Sequence, residues 1–297
     1  MGQRFSSRYS LLHALDTRVP SAFEGALVVT LFDVFSVMPE SARLKFSSES
    51  FREKKRRAYE RIATRASAII TLSEATRREI VRRLAPRCKV HVIPPGIIAP
   101  PVLSLEEARR ELAPHRIEPP FVLTVGALCP RKNIEAGVRA VLAVRRVRPE
   151  LKLVLVGEPS FGWHGSAGEL AVRNAGEAVI VAGYLPARVL RAAYKMSEAL
   201  LHLSHHEGYG LTVLEALASG TEVLASDRGG IPEAAGGAAW LVDPDDPDAA
   251  PHVLEAILAG TSDKEVRRHR GLEHVRNLGW GTAAERVEQL YQEILGS

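Results

Sequence analysis

The 297-residue sequence predicts an α/β protein of two doubly wound domains with parallel sheets. Three observations predict it. Short β-rich runs alternate with helical ones, most of the short runs are apolar throughout, and one proline-rich segment breaks both periods. An unbroken apolar run is how a strand buried on both faces of a parallel sheet reads.

In chain order, strand-like runs fall at residues 27–31, 68–72 and 89–93, with helical runs at 49–65 and 74–84 between them. Pro94-Pro95-Gly96-Ile97-Ile98-Ala99-Pro100-Pro101 then reads as a stiff linker, placing domains at about 1–100 and 101–282. A connecting helix at 105–112 follows, and Glu118-Pro119-Pro120 opens the next strand. Strands are expected at 121–125, 151–156, 178–181, 199–203 and 222–225, and helices at 134–147, 187–195, 213–218 and 249–258. About three strands before the linker face five after it. The N-terminal domain is therefore expected to be truncated by a βαβ unit, roughly 30 residues. A sheet shortened in this way exposes an edge, which favours self-association or a covering partner.

Hydrophobic residues at 46% and charged residues at 25% fit a soluble globular chain rather than a disordered one. No run approaches the roughly 20 apolar residues of a membrane span, and residues 1–6 lack the apolar core of a secretory signal. Cys88 and Cys129 show no metal or redox spacing, so a cytoplasmic, reducing setting is expected. The net charge of +4 is mild and does not call for nucleic acid. Its excess is concentrated between Arg52 and Arg83. Either that is the solvated face of two helices, or it is a peripheral contact for anionic lipid or an anionic acceptor.

Open parallel sheets bind ligands beyond the carboxyl ends of their strands, so the loops leaving the later strands carry the search. The first, Gly126 to Asn133, hands over to a helix near Ile134 with Asn133 as its cap. Two cations just before a helix N-terminus oppose its dipole unless an anion sits between. A diphosphate would supply one, with Arg131 as a fork and Lys132 as a point charge. Two solvated cations at a loop tip are the plainer alternative. In the second loop, His205-His206-Glu207-Gly208-Tyr209-Gly210, the glycines allow a close approach to ligand. The helix starting near Thr212 would aim its first amides, Leu211 to Val213, at a phosphate. Glu207 falls at the loop tip. Glu215 is either a ligand contact or the end of a capping box, Thr212-Val213-Leu214-Glu215. The third loop, Ser226 to Glu233, pairs Gly229 with Gly230, for turn geometry or for a sugar's approach. Three such loops at successive strand ends favour one site.

These stretches resemble the retaining glycosyltransferases of the GT-B fold, the group 1 or family-four set. Val125-Gly126 with Arg131-Lys132-Asn133 is similar to the family's phosphate-binding motif, and Glu207-Gly208-Tyr209-Gly210-Leu211 through Glu215 to its two-glutamate signature. Ile70-Thr71-Leu72-Ser73 and Val92-Ile93-Pro94-Pro95-Gly96 are similar to its N-domain and linker motifs. The likeness runs from about Thr30 to Trp280. It implies two Rossmann-like domains, with a donor site in the second, an acceptor site in the first, and a cleft that closes on substrate. The catalytic residues would be Glu207, facing the donor sugar, and Arg131 and Lys132, holding the diphosphate and stabilising charge on the leaving nucleotide. Gly126, Gly208, Tyr209, Gly210, Leu211, Thr212, Val213 and Glu215 would bind the donor, Glu215 through the ribose. The base would lie near Gly183-Tyr184-Leu185, and Asp33 and Ser73 on the acceptor side. The resemblance implies no cofactor and no required metal: the donor is a nucleotide diphosphate sugar and the acceptor a glycan or lipid-linked molecule. A helix around 283–295 resembles the segment that crosses back onto the first domain.

Pro95 stands where Asn is common and Thr212 where Pro is common, both tolerable; the larger departures sit in the first domain. The family's opening strand and Gly-rich loop are missing, and residues 11–15 look like a strand from well inside that domain. Phe32-Asp33 stands where many relatives carry His-Asp, and phenylalanine neither donates a hydrogen bond nor shuttles a proton. Two functions stay open: an active retaining transferase, or a nucleotide-sugar-binding module without catalysis, completed by a partner chain. No Gly-x-Gly-x-x-Gly follows a strand, which argues against a nicotinamide enzyme.

Overall fold

The computed structural model describes residues 9–20, 22–44, 47–98, 103–260 and 263–296. Residues 1–6 and the 99–101 end of the proline-rich segment lie outside them. The chain forms two compact units, Met1–Gly96 with Leu278–Ser297, and Ile97–Asn277.

The first unit begins with β1 (Leu11–Ala14), β2 (Ala26–Thr30), α1 (Pro39–Arg43), α2 (Glu49–Arg65), β3 (Ala68–Thr71), α3 (Glu74–Leu84) and β4 (Lys89–Val92). The second unit holds α4 (Leu105–Leu112), β5 (Phe121–Val125), α5 (Ile134–Val144), β6 (Lys152–Val156), α6 (Ala167–Ala175), β7 (Val179–Gly183) and α7 (Ala187–Met196). It continues through β8 (Leu200–His202), α8 (Leu211–Ala218), β9 (Val223–Ser226), α9 (Ile231–Ala235), β10 (Trp240–Val242), α10 (Ala249–Leu258) and α11 (Lys264–Arg276). The final helix, α12 (Trp280–Gly296), belongs to the first unit.

In the first unit the strands lie parallel in the order β1-β2-β3-β4. Alternate side chains of a strand face opposite ways, and the core divides accordingly. Leu27, Val29 and Ile69 pack with Tyr59 and Ile62 of α2 and Ile80 of α3. Val28, Ala68 and Ile70 face the other way, onto Ala283 and Leu290 of α12. The helices start where short polar side chains cap them: Ser48 accepts from the Phe51 amide and Ser73 from the Thr76 amide. The arginines of α2 and α3 pair largely along their own helices, Arg56 and Arg57 with Glu53, Arg77 with Glu74, and Arg82 and Arg83 with Glu79. No described helix is long and apolar enough to cross a membrane.

The second unit has six parallel strands in the order β10-β9-β8-β5-β6-β7. Its core sets Val122, Leu153 and Leu155 against Val138 and Val141 of α5 and Leu254 of α10. Ser104 and Glu107 form a reciprocal capping box at the start of α4.

Several elements differ from the sequence expectation. The first unit has four described strands, because Leu11–Ala14 pairs with β2. The second has six, because Trp240–Val242 pairs with β9; three residues are too few to show a period. The helix α5 stops at Val144, and the last helix begins three residues early, at Trp280. No apolar stripe announces α11, KEVRRHRGLEHVR, which buries only Gly271 and Val275.

Candidate active site

The order of the second sheet reverses between β5 and β8: β6 and β7 extend one way, β8, β9 and β10 the other. Such a switch point opens a crevice at the carboxyl ends of the strands, where open α/β sheets take their ligands. The loop after β5 carries Arg131 and Lys132, and the loop after β8 carries Glu207. The structure brings the three together.

The Glu207 carboxylate lies between the two cations, its Oε2 2.7 Å from Arg131 Nη1 and its Oε1 2.7 Å from Lys132 Nζ. Ser204 Oγ donates to Oε1 at 2.9 Å. Arg131 Nη1 also donates to the His206 carbonyl at 2.8 Å, and the His205 amide donates back to the Arg131 carbonyl, so the two loops are stitched by backbone. Burial on its own would raise the Glu207 carboxyl. Lys132 and Arg131 overcome it and hold the group well below the usual carboxylate range. Below this cluster His202, at the end of β8, is 2% exposed, with Nε2 3.7 Å from Glu207 Oε1. Burial, reinforced by Lys132, pushes His202 down to about 3, so its imidazole is neutral at ordinary pH. Its Nε2 has no hydrogen-bond partner among the described residues.

Glycine is required where these loops touch. Gly157, after β6, has φ +141°, and a Cβ there would lie 2.0 Å from the Gly126 carbonyl oxygen. A Cβ on Gly229 would lie 2.2 Å from the Glu207 carbonyl oxygen, and the Gly230 amide donates to that same oxygen. The paired glycines of the third loop thus seat the Glu207 turn backbone to backbone.

Two expectations about helix ends are corrected. Asn133 stands at the N-cap of α5, but in a left-handed conformation, and its side chain donates to the Pro244 carbonyl instead of capping. The helix α8 begins at Leu211 with Gly210 as its cap residue, one position before the expected start near Thr212. Thr212 is therefore inside the helix, and the capping box ending at Glu215 does not form. Glu215 Oε2 instead accepts from the buried Tyr194 hydroxyl of α7 at 2.8 Å. Burial, with Glu215 adding to it, raises that phenol well above its ordinary value. Of the three amides expected to face a phosphate, Val213 donates to the Gly210 carbonyl. Those of Leu211 and Thr212 have no partner among the described residues.

Of the remaining candidates, Gly126 lies beside Lys132, where a Cβ would meet Lys132 Cε at 2.9 Å. Gly208 and the buried Tyr209 form the turn that leads to Gly210. In the first unit, Asp33 and Ser73 have different surroundings. Exposed Asp33 accepts the Phe35 amide at 2.9 Å and helps line a cavity of about 130 Å³ with Phe32, Lys55 and Thr17. Ser73 is buried, and its hydroxyl caps α3 and donates to Thr76 Oγ1. Sequence reading missed His202, Ser204 and Tyr194. A histidine and a serine closing an apolar strand run were the available signal for the first two.

The residues after the linker match the family Glycosyl transferases group 1 over 106–272, and the N-terminal part matches Glycosyltransferase Family 4 over 7–99. The chain belongs to the group 1 glycosyl transferases. Its two parallel-sheet units are those of the GT-B fold. This group 1 chain is 31% identical to O-antigen chain mannosyltransferase B of Escherichia coli over 176 residues, 58% of the chain and 45% of that protein. It is 31% identical to D-inositol 3-phosphate glycosyltransferase of Corynebacterium efficiens over 203 residues, 64% of the chain and 46% of that protein. The chain thus spans about half the length of the curated relatives it matches. Among solved structures, sucrose-phosphate synthase of Thermosynechococcus elongatus superposes with a TM-score of 0.78 at 26% identity, over 97% of this chain and 74% of that one. Anabaena HepE in complex with UDP and glucose superposes with a TM-score of 0.74 at 19% identity, over 96% and 78%.

Proposed function

We propose that this chain transfers a hexose from a nucleotide diphosphate sugar to a glycan or lipid-linked acceptor, with retention and without a required metal. The observation that supports it best is the Arg131–Glu207–Lys132 cluster at the switch point beside the start of α8. Lys132 uses one of its three donors on Glu207, which leaves two for phosphate oxygens. The amides of Leu211 and Thr212 add donors at the positive end of the α8 dipole. Cations fixed here before reaction stabilise charge as it develops on the leaving diphosphate. Glu207 then faces the donor sugar, and Glu215, steadied by Tyr194, takes the ribose. The mannosyltransferase, inositol phosphate glycosyltransferase and sucrose-phosphate synthase relatives, and the UDP held by HepE, support a sugar-transfer reading.

Titration with nucleoside diphosphates tests this. Arg131→Ala removes a charged donor, about 1.5–3 kcal/mol, so affinity should fall roughly ten- to a hundredfold, and Glu215→Ala should weaken binding through the ribose. Parent-like binding and turnover in both variants would end the proposal. Retention is read from the anomeric configuration of the product by NMR, and metal independence from turnover in excess chelator. Exposed Phe32, which offers no donor beside Asp33, favours a second reading as a binding module without catalysis. Sugar transfer or donor hydrolysis by the purified chain alone would dismiss that second reading.

A further inference from the structure

Resting on the donor-site reading above, we propose that Glu158 selects the base of the bound nucleotide, and that the base is guanine. The argument begins with where a nucleoside can go once its diphosphate lies at Arg131 and Lys132. Toward β9 and β10 the ground is filled. Arg228 Nη2 lies 2.5 Å from Asp243 Oδ1 and 3.3 Å from Asp245 Oδ2, and His205 Nδ1 lies 3.4 Å from Asp245 Oδ1.

Toward β6 and β7 the strand ends carry glycines: Gly157 is pressed against the Gly126 carbonyl, whereas Gly126 and Gly183 meet only the side chains of Lys132 and Glu158. Gly126, Gly157 and Gly183 lie side by side, joined by hydrogen bonds from the Gly126 amide to the Val156 carbonyl and from the Gly157 amide to the Gly183 carbonyl. Their two ends are marked. A Cβ on Gly126 would touch Lys132, and one on Gly183 would come within 3.1 Å of Glu158 Oε1. Glu215 turns from α8 toward α7, the helix that crosses from β7 back to β8, where it meets Tyr194. In this proposal a nucleotide with its phosphates at Lys132 and its ribose at Glu215 has its base at Glu158.

Glu158 is exposed at the end of β6 and held in place there: its Oε1 accepts the Tyr184 amide at 3.0 Å. Its Oε2 has no hydrogen-bond partner among the described residues. Tyr184, 75% exposed, carries a flat apolar ring on the residue whose amide Glu158 holds. An ionised carboxylate only accepts hydrogen bonds. Guanine offers two adjacent donors on one edge, the ring N1–H and the 2-amino group, which suit Oε2 and the second lone pair of Oε1. Uracil offers one N–H flanked by two carbonyl oxygens. Adenine sets its amino group beside a ring nitrogen lone pair. Each of these turns an acceptor toward the carboxylate, where two facing acceptors repel and no bidentate pair can form.

The test is calorimetric titration of the whole chain with GDP, UDP and ADP, repeated in Glu158→Gln and Glu158→Ala. GDP should bind about tenfold or more tighter than either competitor. Both variants should lose most of that margin through weaker GDP binding, with UDP affinity held or improved. Equal or tighter binding of UDP or ADP, abolished by Arg131→Ala, would overturn the inference and leave the donor site standing. A GDP preference that survives both variants would remove Glu158 as the selector. Binding of none of the three would overturn the inference and the donor-site reading together.

Discussion

His202 is a buried base whose neutrality carries a stability consequence. In the unfolded chain an imidazole takes up its proton near 6.5, whereas in the fold it waits until about 3. Between those values the unfolded state binds the extra proton, so stability falls as pH is lowered through that window. The slope is about 1.4 kcal/mol per pH unit at its steepest. Glu207 acts in a different window. Its carboxyl is depressed below its ordinary 4.5, so its contribution is complete above that value and is lost only as pH falls toward the folded one. Replacing His202 by Leu should therefore flatten the stability of the second unit between pH 6.5 and 5, read from urea unfolding at each pH. An unchanged slope would mean that the imidazole is charged in the fold. The cation pair and Glu207 were legible because charge, glycine and strand end coincide in the sequence. The partner of Glu215 was not, since Tyr194 looks like any apolar residue of α7 until the fold sets its hydroxyl against α8.

At the scale of elements, the loop after β6 is held by steric necessity. Gly157→Ala adds a Cβ 2.0 Å from a carbonyl oxygen at a φ that side chains rarely adopt. The expected cost is about 2–4 kcal/mol of second-unit stability. Gly165→Ala is the matched control, because its φ is also positive, +75°, yet nothing lies within 4 Å. Its loss should be clearly smaller by thermal unfolding; equal losses would put the cost in backbone conformation alone. Elements with strong patterns were readable in advance: the bounds of α2, α3, α4 and α10 follow their apolar periods and capping residues. The strand β10 and the helices α6, α9 and α11 were not. They are short or polar, and owe their form to neighbours already in place, as α11 does to α8.

At the scale of the molecule, the first unit is discontinuous, with α12 returning to cover the sheet face formed by Val28, Ala68 and Ile70. A chain cut after Asn277 should lose this cover and expose apolar surface. The first unit should then bind a hydrophobic dye and associate, as seen by light scattering, while the second keeps its own unfolding transition. Full-length behaviour in the cut chain would show that α12 is dispensable. Arg56, Arg57, Arg77, Arg82 and Arg83 of α2 and α3 are ion-paired along their own helices. The discontinuity also sets an order of events during synthesis. The ribosome releases β1 to β4 first, then the whole of the second unit, and only afterwards α12. At about 5–20 residues per second, the first sheet waits some tens of seconds, one face bare, for its last helix. A cell making this chain is thus exposed to a timed window of stickiness, which chaperones would have to cover and which faster elongation would shorten.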